Sequence, residues 1–350
     1  MQATYYVRAY NHEGVAFDHI STWASLKYTR TINNVGSYEL TLNYPYANKA
    51  LWATDTIVEL WRTASGTTYC DFVGFHRGWT DTLTDARRRL VTSRGVSLEH
   101  LIQRRRILYP AVTAQTLKSG PGETVIKEFV NENLGPGAGG TRIINGICPW
   151  LTIEADQLRG TDWFGQAAYV SLLDTIKDIG MATKVYFHIT RIGVQAFQFG
   201  LMNPIIRPQV FSESANTLLT FDLARDAANV TAAVALGAEI GATRTAVSVV
   251  DPAALDSPWN LSETAIDVNM DTYNDLLQAA QTEVERGKAS QSLTMRINPK
   301  TPAIYGVDYN LGDVLTTNIR GELLQQRLTS VSITVEEGRE RLEHTFEAYP

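Results

Sequence analysis

The chain has 350 residues and a formal net charge of −6, with 31 basic and 37 acidic side chains. This length is too great for one simple core, so we expect two or three domains. The acidic balance argues against a broad or sequence-specific nucleic-acid-binding face, and the lack of a run of about 18 apolar residues argues against an integral membrane protein. The first residues show no secretory signal, so we expect synthesis in a reducing cytoplasm.

Residues 1–111 are predicted to be rich in β-strands. Runs of alternating apolar and polar residues flank Asn33-Asn34-Val35-Gly36 and Ala64-Ser65-Gly66. Asn and Gly between two alternating runs favour a tight hairpin turn. The predicted hairpins pair residues 26–30 with 38–42 and residues 57–62 with 69–75. Many short strands at close spacing indicate a barrel or a sandwich.

Residues 112–205 predict a small α/β module between two β-rich segments. Val125, Ile126, Phe129 and Val130 have the spacing of one helix face. A second helix is predicted over residues 165–179, with Gly180 as its C-terminal stop. Residues 184–189 and 195–199 then predict paired strands.

Residues 206–350 return to β-strand patterns and predict a second barrel. Residues 251–268 are polar and interrupted by proline, so we expect a loop there. A helix is predicted over residues 271–286, with an apolar stripe and with Gly287 at its end. The further predicted strands are 218–223, 230–235, 293–297, 331–335 and 342–348.

Residues 303–316 predict a strand, a sharp turn and a second strand. Tyr305, Val307, Tyr309 and Leu311 alternate with smaller or polar residues, which is the two-residue period of a half-buried strand. Gly312-Asp313 favours a tight turn, because glycine adopts a positive φ and aspartate can bond its own backbone. The β-branched residues that follow predict the second strand.

Paired carboxylates offer the strongest catalytic candidate. Asp174 and Asp178 lie four residues apart on the second predicted helix and could serve a glycosidase. Lys177 lies between them, and solvated charges on a helix are much commoner than a catalytic dyad. The glycine-rich residues 135–140 match G-x-G-x-x-G, but a helix precedes them and a strand is predicted at 142–144, the reverse of a dinucleotide site.

Metal and thiol chemistry is not indicated by spacing. Cys70 and Cys148 match no zinc or redox pattern, and we expect both to be small buried side chains. The six histidines show no ligand spacing, and His344 falls on an apolar strand face as a core residue. They are His12, His19, His76, His100, His188 and His344. We therefore expect no catalytic, cofactor-binding or metal-binding residues, and no cofactor.

Basic and aromatic residues give weak signals. Arg87-Arg88-Arg89 and Arg104-Arg105-Arg106 could contact phosphate, but a solvated face or salt bridges to a partner subunit are favoured. Seven tryptophans are scattered without the spacing of a sugar-binding strip, and Trp150 and Trp163 are expected to pack in a core.

Five stretches spread over nearly the whole chain carry a resemblance. They are RTINNVGSYEL at 30–40, FVGF at 72–75 with GVSLEHLI at 95–102, SLLDTI at 171–176, DLARDAANV at 222–230 and YNLGDV at 309–314. In their order and spacing they resemble the baseplate hub, or tail-tip, proteins of tailed bacteriophages, particularly the siphophage kind.

This resemblance implies a mainly β fold with an α/β insertion. It implies a first tube-like β-barrel over residues 1–111, an α/β insertion domain over 112–205 and a second tube-like β-barrel over 206–350, with a helix near 271–286. It also implies a homotrimer, in which two barrels per chain form a pseudo-hexameric ring that docks on a hexameric tail tube. The family pattern supplies no catalytic residues.

The resemblance further implies a virion protein at the tail tip, assembled in the host cytoplasm, with roles in host cell attachment and genome delivery. Its implied partners are a distal tail or tail tube protein, the tape-measure protein, and tip fibres or receptor-binding proteins. Two alternatives stay open: a carbohydrate hydrolase using Asp174 and Asp178, and a carbohydrate-binding module within residues 1–111. Because the chain stops at Pro350 after a predicted strand, a C-terminal cell-wall hydrolase is not expected.

Overall fold

The computed structural model describes residues 3–108, 116–138, 151–255, 257, 259–268 and 272–349. The first segment contains seven strands and one short helix. They are β1 (Thr4–Tyr10), β2 (Ala16–Ile20), β3 (Ser25–Thr31), β4 (Ser37–Asn43), β5 (Ile57–Ala64), β6 (Thr67–Leu83), β7 (Arg89–Ser97) and α1 (His100–Gln103). Both predicted hairpins, β3–β4 and β5–β6, are confirmed.

The middle segment alternates strands and helices, as predicted. Its elements are β8 (Thr116–Pro121), α2 (Gly122–Asn133), β9 (Leu151–Ile153), β10 (Asp162–Ala167), α3 (Leu172–Thr183), β11 (Phe187–Arg191) and β12 (Phe197–Leu201). Strands β8 and β10 form one small sheet, and β11, β12 and β9 form another. The core of this segment also includes Ile57, Phe75 and Ile102, so it packs firmly on the first segment.

The last segment is again mainly β. Its elements are β13 (Ile206–Ser212), β14 (Leu218–Asp226), β15 (Ala232–Leu236), β16 (Ala246–Val250), β17 (Glu263–Asp267), α4 (Tyr273–Gly287), β18 (Ser290–Ile297), β19 (Val314–Ile319), β20 (Glu322–Glu336) and β21 (Arg339–Ala348). Most of these strands join the same sheet as the first segment.

That sheet has 13 strands and is the main body of the protein. Its order is β14-β18-β21-β20-β3-β4-β7-β6-β5-β1-β2, with β19 pairing to β20 and β13 to β19. The two chain halves meet where β20 pairs antiparallel with β3, which places Val335 opposite Leu26 and Ile333 opposite Tyr28. These apolar side chains lie on one face and enter one core shared by both halves.

The mainly β class with an α/β insertion is confirmed. The two predicted barrels are not seen as separate closed bodies, because β3–β20 pairing fuses the halves and no pairing among the described strands closes the sheet. The barrel detail therefore stays a prediction, and the predicted boundary at 111/112 lies outside the described residues.

A small third unit was not foreseen. Strands β16, β15 and β17 form a sheet whose Ala233, Ala235 and Val247 pack with Leu276, Ala280 and Val284. Helix α4 begins beside its cap Thr272, close to the predicted start. The predicted loop over 251–268 is wrong at β17, whose exposed and half-buried residues alternate and which pairs parallel with β15.

Two further predictions need correction. The helix predicted over 165–179 begins only at Leu172, because residues 162–167 pair with β8 and Ser171 caps the helix by accepting from the Asp174 amide at 3.4 Å. Gly180 lies inside α3 instead of ending it. Residues 303–311 form a tight loop where a strand was predicted, although β19 begins at Val314 as expected.

Candidate functional site

The loop over residues 303–311, here called the tyrosine loop, is the centre of a buried polar network. Tyr305 and Tyr309 are each only 2% exposed, so both rings of this loop point into the core. The Asp308 carboxylate accepts from the Ile304 amide at 2.7 Å and folds the loop back on itself. In this loop the two tyrosines, four residues apart, are buried while Val307 between them is exposed. A regular strand would have placed all three side chains on the same face.

Arg62 clamps the tyrosine loop to the sheet. Its guanidinium donates to the Tyr305 carbonyl oxygen at 2.7 Å and to the Tyr69 hydroxyl at 2.6 Å. It also donates twice to Glu340, from Nε at 2.7 Å and from Nη2 at 3.1 Å. A planar guanidinium is suited to such bidentate pairing. The Arg62 side chain is 4% exposed, so these bonds form away from water.

A second ion pair lies beside the first. Arg30 donates to Asp71 at 2.7 Å and to the Tyr305 hydroxyl at 2.8 Å, and the Asp71 side chain is fully buried. The Tyr28 hydroxyl donates to the other Asp71 oxygen at 2.6 Å. Burial raises the pKa of Tyr28 and of Tyr305, so both phenols stay protonated donors. We call Arg30, Arg62, Asp71, Tyr305 and Glu340 the junction network, since it joins both halves of the chain.

Asn33 docks the middle segment on the β body. Its carboxamide oxygen accepts from the Phe187 amide at 2.8 Å, and its nitrogen donates to the Val185 carbonyl at 3.3 Å. The residue has a positive φ of 52° in the β3–β4 turn, a conformation that asparagine tolerates well. Nearby, Glu99 accepts from the Ile189 amide at 3.1 Å, and burial raises the pKa of Glu99.

Two more buried carboxylates hold the middle segment. Glu59 accepts from Arg191 at 2.6 Å and from the Tyr10 hydroxyl at 2.7 Å, which links β5 to the end of β11. Glu123, in the first turn of α2, pairs with Lys127 at 2.5 Å and Arg159 at 2.7 Å. Burial would raise the pKa of Glu123, but hydrogen bonds from Arg159 and Lys127 lower it to about 2. Each of these two carboxylates therefore forms ion pairs with neighbouring basic side chains and connects separate parts of the chain.

The two carboxylates of the predicted pair have different surroundings. Asp178 pairs with Arg286 of α4 at 2.6 Å, while Asp174 is exposed in the first turn of α3. Burial raises the pKa of Asp178, and Arg286 opposes that shift. The Asp178 carboxylate therefore links α3 to α4.

His344 is a core residue, as predicted. Its side chain is 1% exposed and its Nε2 lies 3.1 Å from the Tyr309 hydroxyl. Burial lowers the pKa of His344 to about 3. Cys70 is a half-buried free thiol, whereas Cys148 and Trp150 lie outside the described residues, as does the strand predicted at 142–144.

The basic runs are surface features. Arg87, Arg88 and Arg89 are exposed at the tip of the β6–β7 hairpin. Arg104 pairs with Asp55 at 2.7 Å. Within the part of the chain that the structure describes, no group of three or more His, Cys, Asp or Glu side chains is placed to hold a metal ion. None of the helices described is long and apolar enough to cross a membrane.

The fold of the chain matches solved phage tail proteins. The prophage MuSo2 43 kDa tail protein from Shewanella oneidensis aligns with a TM-score of 0.61 at 10% identity, over 98% of each chain. A tail protein from Neisseria meningitidis MC58 aligns with a TM-score of 0.57 at 11% identity, over 99% of this chain and 97% of that one. Prophage tail protein gp18 from Listeria monocytogenes EGD-e aligns with a TM-score of 0.51 at 10% identity, over 98% of this chain and 94% of that one. This chain therefore has a phage tail protein fold.

The sequence places the chain in a family more specifically. The family described as Siphovirus ReqiPepy6 Gp37-like protein matches residues 6–346, and the chain belongs to it. The resemblance to siphophage tail proteins is thus confirmed in both family and fold. The comparison with curated protein sequences gives no match.

Proposed function

We propose that this protein is the structural hub of a siphovirus tail tip. In this role three copies form a ring with pseudo-six-fold symmetry that joins the tail tube to the host-facing tip. The observation that carries the proposal is the junction between the two chain halves, where β3 pairs with β20 and the junction network fixes the tyrosine loop. Two β modules held rigidly in one chain let three chains match a six-fold tube.

The edges of the main sheet suit a closed ring. Its main order begins at β14 and ends at β2, and its branch through β19 ends at β13, so each of these three strands has one side without a partner among the described strands. Exposed edges favour pairing with another chain, and the head-to-tail contacts of a ring would pair two of these edges. The proposed partners beyond the ring are a distal tail or tail tube protein, the tape-measure protein and tip fibres.

The role proposed is structural and not enzymatic. The buried carboxylates of the junction network and of Glu59 and Glu123 are all paired with arginine or lysine. Such groups stabilise a fixed arrangement of elements. The modules proposed are residues 1–111, 112–205 and 206–350, with assembly in the host cytoplasm before incorporation at the tail tip.

Electron microscopy of the purified chain with an edge variant tests this role. Wild type should give six-lobed rings. Leu219→Lys places a charge on the β14 edge, where the leucine is 47% exposed, and should dissociate the rings. Leu255→Lys, at a leucine 38% exposed in the small third unit, is the matched control and should keep them. Rings absent from wild type at micromolar concentration would refute the proposal.

A further inference from the structure

Helix α4 carries two stripes of different chemistry. One stripe is apolar and enters the core of the small third unit through Leu276, Ala280 and Val284. The other stripe is polar, and its members are spaced three or four residues apart, which places them on one helix face: Gln278, Gln281, Thr282 and Glu285. A helix face that packs on protein is usually apolar. This polar stripe lines an open cleft instead.

The cleft, here called the α4 cleft, has a volume of about 320 Å³ and lies between α4 and the middle segment. Its other walls come from the start of β10, the end of α3 and the end of β16: Asp162, Trp163, Ala182, Val249, Val250 and Asp251. Beside it, Asp178 pairs with Arg286 at 2.6 Å. Lys184 pairs with Glu285 at 3.7 Å. These ion pairs hold α4 near α3, and the cleft between them has the size of a small-ligand site.

Polar side chains of the α4 cleft have hydrogen-bonding capacity to spare. Gln281 and Asp162 are exposed, and neither side chain makes a hydrogen bond or ion pair with the described residues. The Gln278 carboxamide has one long contact among the described bonds, 3.5 Å to the Thr282 hydroxyl. A glutamine carboxamide both donates and accepts. The cleft therefore suits a ligand whose donors and acceptors lie side by side, as hydroxyl groups do.

Trp163 adds a fixed apolar surface to the cleft. Its ring meets Phe129 edge to face, with centroids 6.3 Å apart and planes at 76°. The indole also lies over Gly165, where an added Cβ would come within 2.6 Å of two ring atoms. Val249 and Val250 line the same cleft, and Val250 is 47% exposed. A ligand with a C–H face and a polar rim matches this mixture of surfaces.

The charges of the cleft disfavour an anionic ligand. Lys288 is the only basic residue among those that line it in the described part of the chain, and it pairs with Glu285. Asp162 and Asp251 also line it, so three carboxylates and one ammonium give a formal charge of −2. A phosphate or carboxylate would be repelled there. A neutral ligand rich in hydroxyls meets no such cost.

We propose that the α4 cleft binds one neutral sugar ring, as a pyranose unit of a saccharide. The side chains of Gln278, Gln281 and Asp162 meet neighbouring hydroxyls of the sugar, and a C–H face of the ring lies against Trp163. This site is separate from residues 1–111 and from Asp174. The inference goes beyond the hub role and holds for a single chain, so it does not depend on ring formation.

Isothermal titration calorimetry of the full chain tests the site with three named sugars. They are methyl β-D-glucopyranoside, methyl β-D-galactopyranoside and N-acetylglucosamine. At least one should bind with a dissociation constant of about 1–10 mM, the range expected for a ligand of roughly twelve to fifteen non-hydrogen atoms. Putrescine and adenosine serve as comparison ligands, because an acidic cleft could favour an amine and an indole could stack on a base.

A variant of the exposed amide links binding to this cleft. Gln281→Ala should weaken binding of the sugar about tenfold, because a carboxamide partner of its hydroxyls is lost. Gln325→Ala, at an exposed glutamine on β20, is the matched control and should bind as wild type does. Trp163→Ala should abolish binding but also removes the contact with Phe129. Gln281→Ala changes an exposed side chain and keeps the test independent of that packing.

Three results would overturn the proposal. They are saturation by none of the sugars up to about 50 mM, equal affinities of Gln281→Ala and Gln325→Ala, and tighter binding of putrescine or adenosine than of every sugar. Because the titration reports on the chain in any oligomeric state, a lack of rings would refute the hub role alone. A negative titration would in turn remove only the sugar site.

Discussion

Arg62 donates a 2.7 Å hydrogen bond to the carbonyl oxygen of Tyr305, across 243 positions of sequence. The same guanidinium holds Glu340, so a strand of the first segment is tied to a loop and a hairpin of the last one. The Arg62 and Glu340 side chains are 4% and 15% exposed. This contact fixes the tyrosine loop and the β20–β21 hairpin against β5, and the proposed ring rests on this junction.

Replacing Arg62 with methionine should destabilise the protein strongly. The change leaves Glu340 without a partner in a buried place, and such a loss costs about 3–5 kcal/mol of the free energy of unfolding. Urea denaturation measures it. Arg225→Met is the control, since its partner Glu322 is about half exposed and little change is expected. Equal effects of the two variants would contradict the importance of the junction network.

Gly306→Ala should also weaken the tyrosine loop. Gly306 has a φ of +80°, and an added Cβ would overlap the Tyr69 ring and hydroxyl. Gly321 has a φ of +88° with nothing near its Cβ position, so Gly321→Ala carries the backbone cost without the overlap. Placing an alanine in this left-handed backbone conformation costs by itself about 1 kcal/mol of the free energy of unfolding. Thermal unfolding should show a clearly lower midpoint for Gly306→Ala than for Gly321→Ala, and matched midpoints would refute the close approach of Tyr69.

Asn33→Gly should loosen the middle segment while keeping the turn. Glycine tolerates the positive φ, but the Phe187 amide loses its acceptor, which costs about 1–3 kcal/mol. Hydrogen exchange should become faster at Phe187 and along β11. Asn34→Gly serves as the control, because the exposed Asn34 side chain bonds only to the amide of its neighbour Val35 among the described contacts. Unchanged protection at Phe187 would contradict the docking role.

Stability should fall as the pH drops below 6.5. His344 has a folded pKa of about 3 because of burial, whereas an unfolded histidine has a pKa near 6.5. The unfolded chain therefore binds the proton first, and stability present above pH 6.5 is lost towards pH 3. At pH 5 the loss is about 2 kcal/mol. Tyr305, Tyr309, Phe346 and the more distant Arg62 face this ring and supply no carboxylate.

The variant His344→Gln measures how much His344 contributes to the dependence of stability on pH. It should lower stability at pH 7 and flatten the dependence on pH between 7 and 5, as measured by urea denaturation at each pH. A slope equal to that of wild type would show that other groups cause the loss. His76, whose pKa burial lowers to about 4, is expected to supply much of the remaining slope.

The sequence predicts strands and helices well where one face is buried and the other is wet. The hairpins β3–β4 and β5–β6 and helix α4 show this. In the tyrosine loop the two-residue alternation wrongly predicts a strand. Tyr305 and Tyr309 are apolar there because they enter a core made by strands that are distant in sequence. Likewise β17 is short and polar and exists only through its pairing with β15.

Only one residue of the junction network could have been noticed from the sequence pattern. Arg62 continues the alternation of Val58 and Leu60 on the buried face of β5, so an arginine stands where an apolar residue is expected. That position indicates a buried partner but does not identify it, since Glu340 is far away in sequence. The docking role of Asn33 was hidden for the same reason, because its turn chemistry already accounts for it.

The native mass of the purified chain at micromolar concentration tests the central claim most directly. Three hub chains in one ring require a particle of three times 38.8 kDa. Sedimentation velocity or mass photometry should show that species as the main component. A particle of 38.8 kDa that persists across the micromolar range would contradict the trimeric hub.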